Sequence, residues 1–163
     1  MLVISDASPL NVPIRIERID ILPKLFNGVV IPPAVEDELN DPRAPKEVRN
    51  FLGSRPSWLE VASPLALLDL PSIGPGEQAA ISLAHERKAD LLLIDDKRGR
   101  RAAKTLDLRI IGTIGILELM AAQGWLNLKD ALDGVREIGF SASDELLDAA
   151  LRRDAQRRSH RPT

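Results

Sequence analysis

Four stretches of the chain are apolar almost without a break, and longer amphipathic stretches separate them. LVIS at 2–5, VVI at 29–31, LLLI at 91–94 and RIIG at 109–112 read as buried strands. WLEVAS at 58–63 alternates apolar with polar and predicts one more strand, half-buried. Between them the period changes to that of helices. Pro33 opens AVEDEL, where Val35 and Leu39 are four apart and share a face. KEVRNFLG ends at Gly53, a natural helix stop. GEQAAISLAHERK carries apolar residues at 79, 80, 83 and 84, and KRGRRAAKTLD follows the strand LLLI. Further helices are predicted over 113–123, 128–138 and 143–158. Near the start the pattern is less regular. Pro9 suits a first helical turn, Pro13 should interrupt the helix, and Ile16, Ile19 and Leu22 resume a helical spacing.

Continuously apolar strands alternating with helices predict a parallel sheet covered on both faces, an α/β fold in three layers. Nothing divides the chain, so residues 1–150 are expected to form one domain, with a basic, frayed tail over 151–163. Composition agrees. The 163 residues are 44% hydrophobic and 28% charged, enough to build a core. Aromatics are 3%, so that core must be mainly Leu, Ile, Val and Ala.

The same composition removes several chemistries. With no Cys there is no disulfide, thiolate metal site or cysteine nucleophile. His85 and His160 are the two histidines, one in a polar helical stretch and one in the basic tail, and neither is placed for catalysis. The net charge of −2 gives no global attraction to nucleic acid. No apolar run is long enough for a membrane span, and MLVISDASPL lacks the layout of an export signal. A cytoplasmic location is the expectation.

What remains is a set of carboxylates at strand ends, where open α/β sheets bind ligands. Asp6 follows the first strand, and Asp95 and Asp96 follow LLLI. Glu36, Asp37 and Glu38 lie in the helix after VVI, and Glu77 opens the helix before LLLI. Taken singly, each has a plain structural use. Asp6 suits a turn or cap, Glu77 the positive end of its helix, Asp95 and Asp96 a cap for the next helix, and 36–38 a solvated face. Taken together they predict an acidic pocket. Crowded carboxylates repel one another, and a hard cation such as Mg²⁺ or Mn²⁺ relieves that repulsion. Metal-assisted hydrolysis is the chemistry these residue types support best.

VISDASPL, VVIPPAVEDEL, GPGEQAAISLA and ADLLLIDDKRGRRAAKTLDLRIIGTIGIL occur in that order. The series resembles the PIN-domain superfamily, especially its branch related to the VapC-like toxin ribonucleases of toxin–antitoxin pairs, over about residues 2–122. The resemblance implies an α/β/α sandwich, one or two Mg²⁺ or Mn²⁺ ions and endoribonuclease activity on single-stranded RNA. It also implies a homodimer and an antitoxin protein. By position, Asp6, Glu38, Glu77 and Asp96 match the family's catalytic metal-binding acids, with Ser8 as a supporting hydroxyl. Periodicity alone leaves Glu36 and Glu38 on opposite flanks of the Val35–Leu39 stripe; the family pattern selects Glu38. Asp95 beside Asp96 leaves the last ligand open by one residue, and Ile94 stands where many members carry Thr or Ser.

Lys97, Arg100, Arg101 and Lys104 follow i, i+3, i+4, i+7 spacing and predict one basic helical face for RNA phosphates. Leu117, Met120 and Trp125 are the residues expected to lie exposed at a dimer interface. Two rival functions fit the same acids. One is a PIN-like module that binds RNA or protein without cutting. The other is a magnesium-dependent phosphoryl-transfer or phosphoacceptor domain, whose paired acids usually sit earlier in the chain than Asp95 and Asp96.

Overall fold

The apolar runs become the strands of one sheet. In the computed structural model, which describes residues 1–161, β1 is Val3–Ser5, β2 Val29–Ile31, β3 Leu59–Val61, β4 Leu91–Leu93 and β5 Ile110–Ile111. All pairings are parallel, in the order β3-β2-β1-β4-β5. Ile4 sits opposite Val30 on one side and Leu92 on the other. The inner strands β1 and β2 are buried at every residue, which is why they read as unbroken apolar runs. The outer strands β3 and β5 are only partly covered.

The helices are α1 (Ser8–Arg15), α2 (Leu22–Phe26), α3 (Pro33–Leu39), α4 (Lys46–Gly53), α5 (Pro75–Arg87), α6 (Lys97–Thr105), α7 (Thr113–Ala122), α8 (Leu128–Glu137) and α9 (Asp144–Ser159). α3, α5 and α6 pack as one group, and α1, α7, α8 and α9 pack as another. With the parallel sheet between them this is a three-layer α/β/α sandwich. Among the described residues, no helix is long and apolar enough to cross a membrane.

The strand order has one consequence for function. The chain lays β1, β2 and β3 outward in one direction, then returns to place β4 on the other side of β1. The order therefore reverses between β1 and β4, where the connections leave in opposite directions and a crevice opens at the carboxyl ends of the strands. Asp6 directly follows β1, and Asp95 and Asp96 follow β4 by two and three residues.

Four expectations change. Pro13 does not interrupt α1, which runs through it to Arg15. Proline removes one backbone donor, but Pro13 is buried beside Val12 and Ile14, and that burial offsets the lost bond. The break comes later, at Glu17 with φ of 59°, and Ile19–Ile21 form a 3₁₀ turn, so the spacing of 16, 19 and 22 does not continue one helix. Leu117 and Met120 are fully buried core residues, so they offer nothing to a dimer; only Trp125 is exposed, with Lys24 Nζ 5.9 Å from its ring centre. Of the tail expected to fray, residues 151–159 form the second half of α9, which is tied to α7 by Arg153 and Glu118. Residues 162 and 163 of that tail lie outside the described residues.

Candidate functional site

Asp6 is the centre of the crevice. Its backbone N–H donates to the Leu93 carbonyl at 2.9 Å, which carries the β1–β4 pairing one residue past the strand. Its side chain is 3% exposed, and Oδ1 has no hydrogen-bond partner among the described residues. An ionised carboxylate in that position is costly. Its pKa is pushed up to about 7, first by burial, then by Glu77, with Glu38 and Asp95 adding to the rise against a lowering bond from the Ala7 backbone.

Glu38 and Glu77 reach the crevice from α3 and α5, which pack side by side. Val35 and Leu39 anchor α3 in the core at 0% and 1% exposure. That anchoring turns one flank of the helix toward Asp6 and the other away. Glu36 lies on the outer flank and pairs with Arg55 at 2.9 Å. Glu38 lies on the inner one. Burial and Glu77, in that order, raise its pKa.

Two glycines leave room for the acids as they stand. A Cβ at Gly76 would stand 2.7 Å from Glu38 Oε2 and 3.4 Å from Asp6 Oδ1, so both oxygens crowd the space of one methyl group. A Cβ at Gly74 would stand 2.5 Å from Glu77 Oε2, because the Glu77 side chain folds back over the start of α5. A side chain at either glycine of GPGEQ would displace the end of a glutamate from its present position.

The two aspartates after β4 have separate uses. Asp96 is exposed and caps α6, with Oδ2 accepting from Gly99 N at 2.8 Å. Asp95 points toward α7. It accepts from Thr113 N at 2.8 Å and from Thr113 Oγ1 at 2.5 Å. Burial raises the Asp95 pKa, while the two Thr113 bonds and nearby Arg100 oppose the rise. Thr113, the first residue of α7, thus sets a hydroxyl on Asp95, while Ile94 itself is fully buried.

A cleft of about 630 Å³ is lined by Asp6, Ser8, Glu77, Asp95 and Asp96 together with Lys97, Arg98, Phe140 and Ser141. Glu38 does not line it, and meets Asp6 across Gly76. Among the described residues no three acidic or histidine side chains enclose an ion directly as they stand. His85 and His160 are exposed and do not line this cleft.

The four residues of the expected basic face are placed differently. Arg100 is half-buried, donates from Nη1 to the Ile94 carbonyl at 3.2 Å, and lines a cavity beside this cleft. Arg101 and Lys104 are exposed but do not line the cleft. Lys97 does line it, and Arg98, outside the predicted face, joins it. Sequence reasoning also passed over Thr113, Phe140 and Ser141. Thr113 follows β5, so the rule that drew attention to residues after β1 and β4 applies to it too. Phe140 and Ser141 lie between α8 and α9 and carried no such signal.

A family model for PIN domains, DUF3368, matches residues 2–156. No curated protein and no solved structure matches the chain significantly.

Proposed function

This chain belongs to the PIN-domain family, and on that premise we propose that it is a metal-dependent endoribonuclease acting on single-stranded RNA. The observation that carries the reading is Asp6: buried, with one oxygen unpartnered, and faced by Glu38 and Glu77. A structural carboxylate at 3% exposure is normally paired or hydrogen-bonded at both oxygens. One left open at the mouth of a cleft suits a group that arrives from solution.

The donor set fits Mg²⁺ or Mn²⁺, because every candidate is a carboxylate oxygen. Asp6, Glu38 and Glu77 would hold the ion, joined by Asp96 through the oxygen its cap leaves open, or by Asp95. Mg²⁺ usually keeps several waters and takes only one or two carboxylates directly, so a tight three-carboxylate cage is not required. When bound, such an ion supplies charge neutralisation at a phosphodiester and activation of water. The protein's own residues supply the rest. Ser8 lines the cleft beside Asp6. Thr113 holds Asp95 in place with two bonds. Lys97 and Arg98 offer charge to the phosphates of an incoming strand, within a chain whose net charge is −2.

The toxin role, with an antitoxin protein as partner and a homodimer as the assembly, rests on the likeness of the ordered motifs to that branch of the family. A small neighbouring reading frame encoding a DNA-binding protein that co-purifies with this chain would support it. A second reading, a binding module without catalysis, is favoured by one observation: Asp96 already caps α6. Incubation of single-stranded RNA with Mn²⁺ separates the two. We expect endonucleolytic products that vanish in chelator and fall about 100-fold or more for Asp6→Asn. Intact RNA, or equal cutting by Asp6→Asn, overturns the nuclease reading.

A further inference from the structure

Beside the acidic cleft lies a second cavity, of about 470 Å³, with a different character. Its walls include Ile110, Ile111, Ile114, Phe140, Ala142 and Leu146. Asp95, Lys97, Phe140 and Ser141 line both spaces, so the two are adjacent and share a wall. At the rim of the second, Leu146 is 50% exposed while its neighbour Leu147 is 1% exposed. Ile110 and Ile111 lie in the outermost strand of the sheet and are only half-buried. The cavity also has polar groups. Glu118 accepts from Arg153 Nε at 2.8 Å and from Nη2 at 3.1 Å, and both residues line it with Arg100.

We propose that this cavity is a nucleobase pocket, which receives the base next to the phosphodiester held in the acidic cleft, with Phe140 as its stacking platform. The proposal deepens the endoribonuclease reading and rests on it. A base presents two apolar faces and a polar edge, and this cavity combines apolar walls with a few charged groups. Lys97 lies where the two spaces meet, at the position a backbone phosphate takes when its base enters one side and its scissile bond the other. Phe140 is distinguished by elimination. The chain has three Phe, two Trp and no Tyr. Phe26 and Trp58 line a cavity with Met1 and Leu2, at the amino end of β1. Phe51 packs on Trp58 with ring centres 6.0 Å apart, and Trp125 lies beside Lys24. Phe140 alone lines the route from the carboxylates, and single-stranded RNA is commonly gripped by stacking on such a residue.

The test uses a short fluorescent single-stranded RNA and a ladder of the same RNA with one nucleotide at a time made abasic. Binding is measured by anisotropy with Ca²⁺ in place of Mn²⁺, and cleavage is followed in parallel with Mn²⁺. The proteins are the full chain, Phe140→Ala and Phe140→Trp, each checked for an unchanged melting profile. One abasic position should weaken wild-type binding by about tenfold. Phe140→Ala should bind intact RNA about tenfold more weakly and no longer distinguish that abasic position, and Phe140→Trp should restore the discrimination. A flat ladder for wild type, or a ladder unchanged by Phe140→Ala, overturns the base pocket and leaves this cavity to a protein partner. If RNA is cut normally in that case, the nuclease reading stands without the pocket. Position-dependent binding with no cutting keeps the pocket and removes the nuclease, and no RNA binding of any kind overturns both.

Discussion

Asp6 and Asp154 are buried to the same degree, at 3% and 5% exposure, yet the chain treats them in opposite ways. Asp154 lies on α9 with Arg157 Nη2 at 3.6 Å and Arg158 Nε at 3.2 Å. Nearby Glu118 is held by Arg153 through two bonds. In that seam between α7 and α9 each negative charge has a cation supplied by the same helix or its neighbour. At the β1–β4 crevice the opposite holds: Asp6 faces Glu38, Glu77 and Asp95, and its Oδ1 has no partner. A buried carboxylate with its own arginines serves the fold. One surrounded by other carboxylates works against the fold, and the proposed metal would relieve that repulsion.

The largest effect that sharpens this contrast concerns two glutamates on one helix. Glu38→Gln should lower Mn²⁺-dependent RNA cleavage by about 100-fold, while Glu36→Gln, whose partner is Arg55, should stay within a few-fold of wild type. The reverse ranking would move the site to the outer flank of α3.

Next is stability in chelator. Asp6 has a folded-state pKa of about 7 against an ordinary 3.8, so its proton is held longer by the folded chain than by the unfolded one. Its contribution is therefore fully present below about pH 4 and is lost as the pH climbs toward 7. Asp6→Asn should match wild type near pH 4 and exceed it by on the order of 1–3 kcal/mol at pH 8. Asp154→Asn should instead be destabilised by about 1–2 kcal/mol, because Arg158 loses its carboxylate and Arg157 keeps only Glu118. Denaturation curves giving both variants the same sign would erase the contrast.

The smallest effect is at Thr113. Thr113→Val removes the hydroxyl bond to Asp95 but keeps the backbone one, and should cost about 1 kcal/mol in thermal or chemical denaturation. Cleavage should fall less than for Glu38→Gln. No change in either measurement would mean that the Thr113 hydroxyl does not hold Asp95.

The sequence by itself determined the strands and the acids at their ends. β1, β2 and β4 are legible because a strand covered on both faces must be almost wholly apolar; Ser5, the one polar residue, is buried with its hydroxyl donating to the Asp6 carbonyl. Val35 and Leu39 are legible because four residues bring a helix back to the same face. Asp6, Glu77, Asp95 and Asp96 stand beside element boundaries and could be placed at one edge of a parallel sheet before any coordinate was known.

Only the tertiary structure decided which polar atoms are engaged and which are free. Periodicity gives a direction around a helix axis and not a depth, so Leu117 and Met120 gave no sign that a second helix layer covers them. The same limit put Arg100 on a solvent face when a carbonyl from the neighbouring strand end captures it. Asp95 and Asp96 are adjacent and chemically identical, and what separates them is the nearest N–H: Thr113 for one, Gly99 for the other. Those donors belong to helix starts oriented by packing against the sheet. Phe140 is brought to the cleft by the path of the chain between α8 and α9, and no local pattern in the sequence encodes a meeting with residues more than a hundred positions away.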